Sequence, residues 1–142
     1  MSRSATAAIP VPRLSADRVA PAIERVSEIL QAVAADERAR WILSPSHPSA
    51  DCELRLSGVV DGELRDVVID RTFVDAKGER WIVDYKTGSH EGGDLEAFVA
   101  QELDRYAPQL RLYRRLARGL GPEPVRCALY FPLLGRFAEL PR

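Results

Sequence analysis

The chain has 142 residues, 46% of them hydrophobic and 29% charged, and a formal net charge of −1. That is enough for one domain with its own core and too little for two ordinary ones, and the balanced charge supplies no global field toward nucleic acid or a membrane. No apolar run approaches the roughly 18 residues of a membrane span, and the opening MSRSATAAIPVPRLS lacks the apolar centre of a signal peptide, so a cytoplasmic protein without membrane contact is expected.

Residues 1–15 mix Ala, Ser and Pro and read as a flexible N-terminal segment. A helix is predicted from Ser15 or Asp17, because Val19, Ala22, Ile23, Val26, Ile29, Leu30 and Val33 recur at helical spacing. Ala39, Trp41, Ile42 and Leu43 continue or follow it, and a Ser/Pro loop over 44–49 ends it. The alternation of Cys52, Leu54 and Leu56 predicts a strand over 52–57, and Asp61-Gly62 a turn. Two longer strands are predicted over 66–74 and 79–86, with a loop over 88–93. A helical region over 94–118 follows, interrupted near Pro108, since proline removes a helix hydrogen bond. Residues 125–131 read as a core strand and 137–140 as a short edge strand. Cys52 and Cys127 are expected to be reduced and mostly buried. Two cysteines cannot supply the four thiolates of an iron–sulfur cluster.

The stretch GERWIVDYKTG carries the chemistry. Side chains alternate along a strand, so Ile82, Asp84 and Lys86 share one face and Trp81, Val83 and Tyr85 the other. The preceding strand holds a second acid in an apolar run, Val67-Val68-Ile69-Asp70. A three-residue loop, Ala76-Lys77-Gly78, with Gly78 in the left-handed position, pairs Asp75 with Glu79 and therefore Asp70 with Asp84. A two-residue loop would put the acids on opposite faces. Carboxylates opposed at a Cβ separation of about 5 Å repel and call for a hard cation, magnesium, manganese or calcium rather than zinc. Lys86 adds a positive charge suited to a phosphate or a polarised water, and together these are parts for metal-assisted phosphodiester hydrolysis. Spacing alone leaves a second reading open, in which Asp70 pairs with Arg71 or Lys86 and Asp84 opens a turn.

The run Ile69-Asp70-Arg71, then Val83-Asp84-Tyr85-Lys86-Thr87-Gly88, then Gln109-Leu110 with Tyr113, resembles the C-terminal PD-(D/E)XK nuclease domain of RecB/AddA-like helicase–nucleases. The resemblance covers roughly residues 20–133. It implies an α/β, restriction-endonuclease-like core: a central mixed β-sheet flanked by helices, in the order helix-strand-strand-strand-helix-strand. It implies that residues 16–142 form one nuclease domain, a fragment of a larger helicase–nuclease. The implied activity is that of a magnesium-dependent deoxyribonuclease, exodeoxyribonuclease V-like and weak in isolation, in double-strand-break repair and recombination. Asp70 and Asp84 would hold Mg2+ or Mn2+ with the Tyr85 carbonyl, and Lys86 would be catalytic. Gln109 and Tyr113 would support the site or contact DNA, and Glu53 is a candidate auxiliary acid. The residues themselves also allow Tyr113 to be a core aromatic, Gln109 to be solvated and Glu53 to be an exposed strand residue. The implied partners are DNA, the helicase domains of the parent chain and a RecC/AddB-like subunit.

One departure is visible. RecB-type nucleases take a histidine ligand from an upstream helix, and the first helix here has none; His47 and His90 lie in loops. The alternative is a catalytically weakened DNA-binding or structural module of the helicase. A self-contained phage-type or CRISPR-associated exonuclease fits less well, for want of four cysteines and the histidine helix. Arg105, Arg111, Arg114, Arg115 and Arg118 make the second helical region basic, either as a solvated face or as a track for phosphates.

Overall fold

The computed structural model describes residues 16–142; the segment 1–15, its expected flexibility and Ser15 as a helix start lie outside the described residues. The helical periodicity of the N-terminal part becomes two helices, α1 (Ala16–Ala35) and α2 (Glu37–Leu43). Asp36 separates them. Its side chain accepts the Arg38 N–H at 2.9 Å, as an N-cap does, and also the Tyr130 hydroxyl. Ala39 and Ile42 are the buried face of α2.

Five strands follow: β1 (Asp51–Val60), β2 (Glu63–Val74), β3 (Arg80–Tyr85), β4 (Val125–Phe131) and β5 (Arg136–Glu139), hydrogen-bonded in that spatial order. The β3–β4 pair is parallel and the others antiparallel. The sheet is therefore mixed, as a restriction-endonuclease-like core requires. A parallel pair needs a crossover, and α3 (Leu95–Ala117) supplies it. β1 and β2 run longer than their alternation predicts, joined by Asp61-Gly62, both at positive φ.

The β2–β3 hairpin has the three-residue loop. Gly78 sits at φ 78°, its N–H meets the Asp75 carbonyl at 3.0 Å, and the ladder runs from Val74↔Arg80 to Arg71↔Val83. Asp75 clamps this loop: Oδ1 accepts the Lys77 and Glu79 N–H groups, and Oδ2 the Trp81 indole, each at 2.9 Å.

The sheet buries both faces. On one, α3 places Val99, Ala107, Leu110, Tyr113 and Ala117 against Ile69, Ile82, Cys127, Leu129 and Phe131. On the other, Ala39 and Ile42 of α2 meet Phe73, Trp81, Val83, Ala128 and Tyr130. Strand β2 changes face between these layers. Ile69 belongs to the α3 side, whereas Arg71 reaches the end of α2, Nε to the Ile42 carbonyl at 2.9 Å and Nη2 to that of Ser44 at 3.2 Å. In a regular strand these two would share a face. The irregularity falls at Asp70, whose register partner on β1 would be Glu53, at φ 51°. Such distortions re-aim side chains and are common beside active sites.

Two expectations need correction. Helix α3 runs unbroken through Pro108. A proline in a helix interior costs about 3 kcal/mol. Burying one large apolar side chain returns about 1.5–3 kcal/mol, and α3 buries several on both sides of Pro108, so the helix persists. Cys52 is exposed while Cys127 is buried, because β1 is an edge strand with little covering it.

Candidate active site

Beyond Arg71↔Val83 the described β2–β3 ladder stops, and the next N–H of β3 on that side, that of Tyr85, is taken by Asp70 Oδ2 at 2.9 Å. Asp70 thus sits where the strands part. Continuing the register by one pair sets it opposite Asp84, so that the two carboxylates act on each other by charge. Asp84 is 6% exposed. Two residues on, Lys86 turns to the same side and its Nζ stands 2.8 Å from Asp84 Oδ2. The Lys86 N–H bonds the Tyr130 carbonyl at 2.8 Å, which carries the β3–β4 pairing past the end of β3.

Burial pushes the Asp84 carboxyl above its usual range; Lys86 opposes this, and the neighbouring Asp70 adds to it. Repulsion between the opposed carboxylates thus acts in the same direction as burial, and burial is the larger cause. Burial raises the pKa of the Tyr113 phenol first, and the Asp84 charge adds to it. Gln109, one turn earlier, donates from Nε2 to the Tyr113 hydroxyl. Burial likewise pushes the Tyr85 phenol to about 12, with its hydroxyl buried and unpartnered.

A divalent cation fits the acid pair. Asp84 Oδ2 is buried and, although the Lys86 ammonium is 2.8 Å away, it makes no well-directed hydrogen bond, so an acceptor remains for a cation. Hard carboxylate oxygens suit magnesium or manganese. Among the described residues no group of three or more His, Cys, Asp and Glu side chains is gathered for a metal. Glu53 is exposed and not gathered with the pair. His47 is stacked on Phe73 at 4.1 Å and bonded to the Trp41 carbonyl, within the aromatic layer over α2. His90 is stacked on Phe98 at 4.5 Å. Of the basic residues on α3, Arg115 forms a two-pronged pair with Asp61, Arg114 bonds the Pro141 carbonyl, and Arg105 lies 3.8 Å from Glu102. Arg111 is exposed beside Gln109 and Tyr113 on a groove of about 770 Å³ between α3 and the β1–β2 hairpin.

One residue at the site escaped the sequence reading. Tyr106 lies with its ring centroid 3.5 Å from Lys86 Nζ. The available signal was helix phase: Tyr106, Gln109 and Tyr113 are spaced i, i+3 and i+7, one face of a helix.

A comparison with protein-family models matches residues 5–137 to the PD-(D/E)XK nuclease superfamily. The chain belongs to that superfamily. Its members are typically metal-dependent nucleases, which points to nucleic-acid phosphodiester hydrolysis and implies DNA binding. A search of curated proteins finds no match. No helix among the described residues is long and apolar enough to cross a membrane.

Proposed function

We propose that this PD-(D/E)XK protein is a deoxyribonuclease that hydrolyses DNA phosphodiesters with magnesium or manganese, and that residues 16–142 form the nuclease domain of a RecB/AddA-like helicase–nuclease acting in double-strand-break repair and recombination. The observation that supports it best is the juxtaposition of Asp70, Asp84 and Lys86 where β2 and β3 part. Asp70, Asp84 and the Tyr85 carbonyl are the ligands of the cation. When bound, the cation supplies charge neutralisation at the phosphate and acidifies a water. Lys86 brings a fixed positive charge to the oxyanion that develops on the phosphate, in a site whose burial strengthens that charge. Tyr113, hydrogen-bonded by Gln109 on α3, supports the site or contacts DNA. Without a base-reading motif, cleavage is largely indifferent to sequence. Helicase domains and a RecC/AddB-like subunit are the partners of this reading.

The test is cleavage of linear duplex and single-stranded DNA by the 142-residue chain in magnesium and in manganese. Cleavage is expected to be slow, because few charged ligands hold the ion. Lys86→Ala is expected to lower the rate about 10²- to 10³-fold, the usual cost of losing one such stabiliser, with the fold unchanged; equal rates would refute the reading. A second reading, a DNA-binding module that has lost cleavage, draws on the absence of a third metal-gathering side chain among the described residues. It predicts DNA binding without cleavage in either metal.

A further inference from the structure

Lys86 is held from two sides. Its Nζ is 2.8 Å from Asp84 Oδ2 and 3.5 Å from the centroid of the Tyr106 ring, well inside the roughly 6 Å reach of a cation–π contact. The two partners differ in kind. Asp84 is a charged oxygen that a hard metal ion would compete for. The Tyr106 ring is neutral and offers such an ion no carboxylate. Once Asp84 shares its charge with a metal, its hold on the ammonium weakens and the ring face remains. Tyr106 is half-buried against the α3-side core, so it is itself held in place. Arg105 also approaches this ring, at 5.4 Å, but its side chain is exposed and lies outside the acid pair.

We infer that Tyr106 is a positioning residue that keeps the Lys86 ammonium over the acid pair while Asp84 is engaged with a metal. The inference rests on the nuclease reading for its purpose but not for its contact. What it requires of residue 106 is a ring face; the phenol hydroxyl is dispensable.

The decisive comparison is Tyr106→Phe against Tyr106→Leu, with Arg105→Gln as a control, in the 142-residue chain. In metal-free protein the Lys86 ε-methylene proton resonances report the ring directly, since a ring face shifts nearby protons upfield. Wild type, Tyr106→Phe and Arg105→Gln are expected to show the upfield shift, and Tyr106→Leu to lose it while its amide spectrum stays folded. Under cleavage conditions Tyr106→Leu is expected to lose roughly 2- to 30-fold in kcat, the span of one cation–π contact, with KM nearly unchanged, and Tyr106→Phe to restore the rate. Lys86 resonances unmoved by Tyr106→Leu, or losses as large in Tyr106→Phe as in Tyr106→Leu, would overturn the inference. A ring-shifted Lys86 in a chain that cleaves no DNA supports the contact and overturns the nuclease reading instead.

Discussion

Asp84 and Asp75 are both acids at the ends of a hairpin, and their surroundings push them in opposite directions. At Asp75 burial raises the pKa, but hydrogen bonds from Glu79, Trp81 and Lys77 outweigh it, so the net value is lowered. The stability Asp75 contributes is present above its unfolded pKa of about 3.9 and is lost as pH falls through the folded value. At Asp84 burial wins over Lys86 and the net value is raised. Its contribution is fully present below the unfolded pKa and is lost as pH rises through the folded one. In metal-free buffer at neutral pH, Asp84→Asn should therefore leave stability unchanged or raise it, and should flatten stability against pH above about pH 4. Urea midpoints measured across that range check this; a marked loss of stability would make Asp84 a structural partner of Lys86. Asp84 and Lys86 were legible in the sequence because a strand has a period of two. Asp70 was legible because a three-residue loop fixes the count. Tyr106 was not, since its meaning depends on a cation brought to it from another element. Nor were the final places of Glu53 and His47, which are set by a strand irregularity and by aromatic stacking.

At the scale of elements, α3 shows tertiary packing overriding a local signal. Proline carries no N–H, so the break expected at Pro108 was sound locally, and only the apolar face on either side of it says otherwise. Pro108 is exposed, so a substitution there changes the backbone term and little packing. Pro108→Ala is expected to stabilise the protein by about 1–3 kcal/mol, the difference in helix propensity less what the backbone has already relaxed. The shift in thermal or urea midpoint measures it, and destabilisation would mean that the chain depends on the local geometry proline imposes. The sheet was more legible than the helix. Turn residues and alternation marked its strands, whereas the extra length of β1 and β2 lies at their exposed ends, where Val59 and Leu64 face solvent and alternation carries no burial.

Over the whole molecule, order should be graded. Helix α1 leaves Val19, Ile23, Val26 and Leu30 exposed along one face, whereas the apolar face of α3 and strands β3 and β4 are covered. A helix with little buried apolar surface opens locally at low free energy. Amides of α1 are therefore expected to exchange with solvent well before those of α3 and β3; equal protection would show that α1 belongs to the same cooperative unit. The mixed sheet and its helical crossover followed from element order. The split of β2 between two layers did not, because sequence shows alternation but not where a strand gives it up.

The clamp at Asp75 has a reach beyond its own turn. It stands five residues from Asp70 along β2, about 17 Å at strand rise, and touches nothing at the acid pair. Yet it fixes the loop at three residues, and that number alone decides which side of β3 is numbered with the acids. Loop length works here as an address. One residue more or fewer at this remote end would deliver Asp84 to the layer under α2 and Val83 to the layer under α3, relocating the chemistry without altering a single residue that performs it.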